Sequence, residues 1–289
     1  MRVKVYTINS FAKSIEGGNQ AGIVLHADDY SEAVMKKIAR IVGFSETAFV
    51  MKSDVADFKV RFFTPVEEVD ICGHATIATF SILHRKGYIK PGIYKQETKA
   101  GVLCIELKED TTIMMHQNAP GYYEIISKRD IADTLNIDET EMMDELPIQI
   151  VSTGIRDIMI PIKNIDLLNA IKPDFEKVSE LCRTYNTVGY HMFTFDTLYH
   201  SNAYCRNLAP LYGIPEESAT GTSNGALACY LLKYHKIKPE DASHIVIEQG
   251  YSMGKPSEII VDLMMEESEL VGVKVGGSTL NMSEIEVEI

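Results

Sequence analysis

The sequence predicts an α+β fold with two pseudo-symmetric domains, each a mostly antiparallel sheet curled around a central helix. Three observations predict it. A short sequence pattern occurs twice, about half the chain apart. Strand-like segments follow one another across short turns, whereas helical periodicity is confined to a few places. The most apolar helical segment, 75–83, has no polar face, which is typical of a helix enclosed by sheet.

The repeated pattern is an arginine with a proline four residues later, followed by a glycine turn that opens an apolar run. The copies are 61–65 with 72–78, and 206–210 with 220–226. A repeat of half the chain predicts two similar domains that face each other, with the paired turns lining a cleft. We place the domains at 1–118 and 119–289, because 118–121 breaks a strand. The last ten residues or so could return to the first domain.

The remaining elements follow from local patterns. Ser31 is a helix N-cap and Gly43 a helix stop, so a helix is expected between them. Helices are predicted over 31–42, 75–86, 131–135, 173–185 and 226–235. Strands are predicted over 3–8, 21–25, 47–51, 58–63, 102–107, 113–116, 148–152, 157–162, 191–195, 201–205, 245–248 and 259–263. The glycine pair within 275–278 is predicted to form a tight turn or bulge.

Composition excludes several classes of function. The net charge of −13 argues against nucleic-acid and anionic-membrane partners, which select basic surfaces. The five cysteines include no CxxC pair and the eight histidines are scattered, so neither a disulfide framework nor a metal site is expected. The first residues alternate like a strand rather than a signal peptide, and no apolar run approaches a membrane span. A cytoplasmic protein is therefore expected.

The two glycine turns are candidate anion sites. A helix that begins at a glycine offers backbone N–H groups and the positive end of its dipole, which suit a small carboxylate. A single such turn would be an ordinary helix start, but its repetition favours binding. The predicted substrate-binding residues are Gly73, Gly221, Thr222 and Ser223.

Glu46 and His74 are candidate acid–base residues. Glu46 lies between a helix stop and an apolar strand, where desolvation would raise its pKa, as a base that later returns its proton requires. Its alternative is an exposed loop carboxylate. His74 follows the first glycine, where the helix dipole favours a neutral imidazole; its alternative is a capping role. Cys72 could be a thiolate base, but packing is the better interpretation.

Five blocks of this sequence resemble signature blocks of the PhzF-like (phenazine biosynthesis) family: 43–49, 62–65, 72–76, 219–228 and 249–257. They occur in family order over nearly the whole chain. The resemblance implies a diaminopimelate-epimerase-like fold and a cofactor-free isomerase or epimerase, often homodimeric. The best understood relatives isomerise trans-2,3-dihydro-3-hydroxyanthranilate. By motif, Glu46 carries the proton, His74 is the family histidine, Glu217 is the acidic residue before the second turn, and Thr222 stands for a serine.

The chain departs from the family at several positions. Glu217-Ser218 replaces the usual Asp-Pro, Gln20 replaces a proline, and Asn207 and Leu208 replace larger residues. We therefore predict a cofactor-independent isomerase of a small carboxylate, with Glu46, His74 and Glu217 as catalytic residues. The alternative is a non-catalytic carboxylate-binding protein on the same fold. A two-thiol racemase is not available, because Thr220 occupies the position of the second thiol.

Overall fold

The strands and helices fall into two units of the chain. In this computed structural model, which describes residues 1–267 and 269–289, unit 1 comprises Met1–His116 and Gly276–Ile289, and unit 2 comprises Gln117–Val275. The strands of unit 1 are β1 (Arg2–Ser10), β2 (Asn19–Val24), β3 (Thr47–Met51), β4 (Phe58–Phe63), β5 (Glu68–Val69), β6 (Gly92–Thr98), β7 (Gly101–Leu107), β8 (Ile113–Gln117, its last residue in unit 2) and β18 (Thr279–Glu288). Its helices are α1 (Glu32–Val42) and α2 (Gly73–Arg85).

Unit 2 contains the remaining elements. Its strands are β9 (Gly121–Ile125), β10 (Gln149–Ser152), β11 (Arg156–Pro161), β12 (Gly189–Thr194), β13 (Ala203–Ala209), β14 (Ile214–Glu217), β15 (Ile245–Gln249), β16 (Ser257–Glu266) and β17 (Glu269–Gly277, its last two residues in unit 1). Its helices are α3 (Lys128–Leu135), α4 (Ile165–Ala170), α5 (Phe175–Tyr185) and α6 (Gly221–Lys233).

The two units repeat one pattern of strand pairing. In unit 1, β1–β2 is antiparallel, β2–β3 parallel, β3–β4 and β4–β5 antiparallel, β4–β6 parallel and β6–β7 antiparallel. In unit 2, the strands β10 to β16 pair in the same sequence of directions. Most pairs are antiparallel and each unit has one long buried helix, so the predicted fold class is confirmed.

The repeated arginines explain part of the repeated sequence. Arg61 on β4 donates from Nε and Nη2 to the two carboxylate oxygens of Glu68 on β5, at 2.7 and 2.9 Å. Arg206 on β13 does the same to Glu216 on β14, at 2.9 Å for both bonds. Such two-pronged bonds fix orientation as well as distance. Each therefore holds the short strand that precedes a glycine turn.

The helices α2 and α6 form the centres of their units. Each has 13 residues and begins at the predicted glycine, and ten residues of each are buried. Helix α2 packs against β1, β2, β3 and β18, and helix α6 against β10, β11 and β16, in agreement with the absence of a polar face. The first helix, α1, also begins and ends as predicted, with Ser31 accepting from the Val34 N–H and Gly43 in the left-handed conformation.

The structure differs from the sequence predictions at one predicted turn and at several elements that were not predicted. The glycine pair at 276–277 ends strand β17 instead of forming a turn. A Cβ on Gly276 would lie 1.9 Å from the carbonyl oxygen of Ile113, so the glycine allows close backbone approach. The strands β5, β6, β9, β14, β17 and β18 and the helix α4 were not predicted. Among the described residues, no helix is long and apolar enough to cross a membrane.

Candidate active site

Glu46 and His74 lie side by side in unit 1. The left-handed turn at Gly43 ends α1 and leads to Glu46, directly before β3, while His74 is the second residue of α2. Their side chains are 13% and 5% exposed, and Oε2 of Glu46 lies 3.1 Å from Nε2 of His74. At that distance they form an ion pair, although this oxygen accepts no hydrogen bond of full geometry from the described residues. The structure thus brings together two of the three predicted catalytic residues.

The protonation states of this pair differ from the sequence prediction. Burial alone would raise the pKa of Glu46, but the positive charge of His74 and hydrogen bonds from its neighbours bring the pKa below its ordinary value. Burial would likewise lower the pKa of His74, yet Cys72 and Glu46 together raise it well above 6.5. Glu46 is therefore a carboxylate and His74 an imidazolium at neutral pH. The prediction missed this because it treated each residue without its partner.

Polar neighbours fix the imidazole of His74. Nδ2 of Asn19 lies 3.3 Å from Nδ1 of His74, and Ser45 Oγ lies 3.4 Å from Nε2. An NH₂ group in this position suits a ring nitrogen that accepts, so the imidazolium requires the Asn19 amide to turn and present its oxygen. Ser10 Oγ donates to the carbonyl oxygen of His74 at 2.7 Å, which holds the backbone of the turn.

Cys72 completes the cluster. Its Sγ lies 3.5 Å from Nδ1 and 3.8 Å from Nε2 of His74. Burial, together with the charge of Glu46, raises the pKa of the Cys72 thiol to about 11, so the thiol keeps its proton at neutral pH. A carboxylate, a thiol and an imidazole thus have ligand atoms within 4.8 Å of one another. The sequence did not predict this cluster, because its histidines are scattered along the chain.

The glycine turns begin α2 and α6 in closely similar ways. Cys72 and Thr220 are the N-caps, with φ/ψ of −144°/115° and −131°/101°, and neither side chain caps its helix by a hydrogen bond. The first-turn N–H groups of both helices thus lack the side-chain acceptor that usually satisfies one of them. This is the arrangement that an anion-binding helix start requires.

Glu217 lies at the end of β14, three residues before the second turn. Its Oε2 accepts from the Thr220 hydroxyl at 3.0 Å, and its backbone carbonyl accepts from Nε2 of Gln249 at 2.8 Å. Gln249 also accepts from the Thr220 N–H, at 3.1 Å. Glu217, the third predicted catalytic residue, is therefore hydrogen-bonded to the second glycine turn within unit 2.

Of the predicted binding residues in the second turn, Thr222 is half-buried and Ser223 is 1% exposed. Ser223 Oγ donates to Oδ2 of Asp157 at 2.5 Å and accepts from Nδ2 of Asn207 at 3.2 Å. The hydroxyl of Ser223 is thus used inside the protein, so its backbone is the part left to contact a ligand.

A buried polar network behind the second turn was not predicted. His191 accepts at Nδ1 from Asn207 and donates from Nε2 to Asn224, both at 3.1 Å, and Asn224 donates to Gln249 at 2.7 Å. Burial lowers the pKa of His191 to about 4, so the ring is neutral, in agreement with these bonds. Burial raises the pKa of Asp157 to about 7. Asp157 and His191 lie on strands whose sequence reads as apolar, so no local signal marks them.

Comparison with known proteins agrees with this geometry. The sequence profile of the family described as "Phenazine biosynthesis-like protein", PhzC-PhzF, matches residues 8–284. An uncharacterized isomerase of Clostridium acetobutylicum is 34% identical, over 96% of both chains. The trans-2,3-dihydro-3-hydroxyanthranilate isomerase of Pseudomonas fluorescens is 28% identical, over 94% of both.

A solved structure supports the same conclusion. The crystal structure of a PhzF-family phenazine biosynthesis protein from Bacillus anthracis superposes with a TM-score of 0.90, at 32% identity and over the full length of both chains. These comparisons confirm the predicted fold and the prediction of an isomerase. The chain belongs to the phenazine biosynthesis-like protein family, PhzC-PhzF.

Proposed function

We propose that this protein is a cofactor-independent isomerase that moves a proton between two carbon atoms of a small carboxylate, with Glu46 as the proton carrier. One observation carries the assignment: a buried Glu46 carboxylate oxygen lies beside His74 without accepting a hydrogen bond from the described residues. A carboxylate in that state is available to accept a proton from a substrate.

The proposed reaction involves no change of oxidation state. Glu46 takes a proton from one carbon, and the electron pair of that C–H bond enters the conjugated system of the substrate. Glu46 then delivers a proton to a different carbon, and because its carboxyl proton exchanges with solvent before delivery, the product formed in D₂O carries deuterium. The imidazolium of His74, 3.1 Å from Glu46, stabilises the carboxylate before proton transfer and donates to the negative charge that develops on the substrate.

The glycine turns supply the proposed binding groups. The backbone N–H groups at Gly73, Gly221, Thr222 and Ser223 suit the substrate carboxylate, because they lie at helix starts that no N-cap side chain satisfies. Glu217 is proposed to orient an amine or ring of the substrate. Its carboxylate already accepts one hydrogen bond, from Thr220, which fixes its position.

The substrate class follows from the relatives. We propose a cyclic or unsaturated amino or hydroxy acid of the trans-2,3-dihydro-3-hydroxyanthranilate type, the compound named for the Pseudomonas fluorescens relative. Glu217-Ser218 stands where the family usually has Asp-Pro. The longer side chain moves the carboxylate by about 1 Å, which is enough to favour a differently shaped substrate.

Solvent-deuterium incorporation tests the proposal. Wild type, Glu46→Gln and Glu67→Gln are incubated in D₂O with trans-2,3-dihydro-3-hydroxyanthranilate and a panel of small amino and hydroxy acids, and NMR follows exchange and isomerisation. Glu67 is an exposed glutamate of the same unit and serves as the matched control. We expect wild type and Glu67→Gln to exchange a substrate proton and Glu46→Gln to lose this activity. Full exchange by Glu46→Gln would refute the role of Glu46, and binding without exchange by wild type would favour the binding-protein alternative.

We also propose a cytoplasmic homodimer, as is common in the family that the sequence resembles. Light scattering on the purified protein should give twice the mass of one chain. A monomeric mass at the concentrations used for activity would refute this assembly.

A further inference from the structure

Three metal-ligating side chains converge at the start of α2. They are Glu46 from the loop before β3, Cys72 at the N-cap and His74 in the first turn. Their ligand atoms lie within 4.8 Å of one another, and all three side chains are mostly buried. Buried charged or polar groups need partners, so this grouping is unlike an exposed acidic cluster.

The spacing of the donors fits a small tetrahedral cation. With Zn–N of about 2.0 Å, Zn–O of about 2.1 Å and Zn–S of about 2.3 Å, a tetrahedral angle places N and O about 3.3 Å apart and N and S about 3.5 Å apart. In this structure, Nε2 of His74 lies 3.1 Å from Oε2 of Glu46 and 3.8 Å from Sγ of Cys72. The distance from Nε2 to Sγ exceeds the ideal N–S spacing by about 0.3 Å, so a shift of the thiol of about that size is needed for both to bind one metal ion.

The donor types select the metal. A thiolate and an imidazole are the ligands that Zn²⁺ prefers, whereas Mg²⁺ and Ca²⁺ require oxygen donors. Zn²⁺ binding displaces one proton from the Cys72 thiol and one from the His74 imidazolium to solvent. The carboxylate, thiolate and neutral imidazole that result carry two negative charges, which balance one Zn²⁺. Three protein ligands leave the fourth position open to water or substrate.

We propose that Glu46, Cys72 and His74 bind one Zn²⁺ ion, and that this ion inhibits the enzyme by occupying the proton-carrying carboxylate. The metal site stands on the geometry alone, and only the inhibition rests on the proposed function. Zinc bound here regulates the site instead of serving the reaction, because it removes the free carboxylate oxygen on which proton transfer depends.

Cobalt substitution tests the site without any substrate. Co²⁺ is titrated into wild type, Cys72→Ser and Cys104→Ser, and thiolate-to-cobalt absorption in the near ultraviolet is recorded. Cys104 is a free, half-buried thiol in the same unit and serves as the matched control. We expect wild type and Cys104→Ser to bind one Co²⁺ with this absorption, and zinc to displace it. Cys72→Ser should lose the absorption, and its zinc affinity measured by calorimetry should fall at least about tenfold.

Two further measurements complete the test. Glu46→Gln should retain the thiolate absorption but bind zinc more weakly, which excludes loss of folding as the explanation. Zinc should abolish wild-type deuterium exchange and a chelator should restore it. Absence of one-to-one zinc binding by wild type, or unchanged absorption in Cys72→Ser, would overturn the metal site. Zinc binding without inhibition would refute the regulatory role and leave the metal site standing.

Discussion

Asp157 makes the stability of unit 2 depend on pH. It is 1% exposed; burial raises the pKa of its carboxyl to about 7, the Ser223 hydroxyl opposes this rise, and the charge of Glu217 adds to it. Between its ordinary pKa of 3.8 and about 7, the folded protein keeps a proton that the unfolded chain has lost. Stability therefore falls as pH rises through this window. The complete loss is about 4 kcal/mol, from 1.36 kcal/mol per pH unit.

The variant Asp157→Asn removes this titration while keeping the size of the side chain. From about pH 5 to about pH 8, the wild-type free energy of unfolding should fall by about 2.5–3 kcal/mol relative to the variant. The free energy of unfolding is measured by urea denaturation at each pH. Unfolding is monitored by circular dichroism and by tyrosine fluorescence, since the chain has 14 tyrosines and no tryptophan. Only the change with pH is diagnostic, because the amide itself alters the bond to Ser223. Asp241→Asn, an exposed control in the same unit, should parallel wild type. Parallel profiles for wild type and Asp157→Asn would refute the reasoning.

Two other predictions concern the ion pair and the sheet of unit 2. His74→Gln leaves Glu46 buried without its positive partner, so the pKa of Glu46 should rise. The acid limb of the pH profile of kcat/KM for deuterium exchange should therefore move to higher pH. An acid limb that does not move would show that a group other than Glu46 titrates there. Gly189→Ala should destabilise the protein by about 3 kcal/mol in thermal melting, because its Cβ would lie 1.9 Å from the carbonyl oxygen of Leu208 on β13. Gly213→Ala, in the left-handed conformation but with open space around it, should cost only about 1 kcal/mol; equal losses in both variants would contradict the steric argument.

Helix ends and helix centres could be predicted from the sequence because their signals are local. Ser31 and Gly43 bound α1 as expected, and α2 and α6 begin at their glycines. Strand β6 could not be predicted, because a polar side chain of this strand is buried while an apolar one is exposed. Gln96 is fully buried and donates to Thr76, while Ile93 is 71% exposed. Predictions from hydrophobic periodicity assume that apolar side chains are buried and polar ones exposed.

The candidate site shows the same division between local and non-local information. Glu46 and His74 could be named from their positions beside a helix stop and a glycine turn. Their charge states depend on a contact between residues 28 positions apart in sequence, which no local pattern contains. The links from Asp157 to Ser223 and from His191 to Asn224 likewise join strands to a helix. Such contacts arise only when the chain has folded.

The pairing of β1 with β18 has a consequence for folding during synthesis. These strands pair antiparallel from Arg2 with Glu288 to Ser10 with Thr279, so the contact joins nearly the full length of the chain. Unit 2 is one continuous segment, and the ribosome releases it before the residues of β18. Unit 1 can complete its sheet only afterwards, while the edge of β1 that later receives β18 is open in the growing chain. Contacts of such large sequence separation form slowly, because a long loop must close first. The order of synthesis therefore favours the folding of unit 2 before unit 1, although the residues of β1 emerge first.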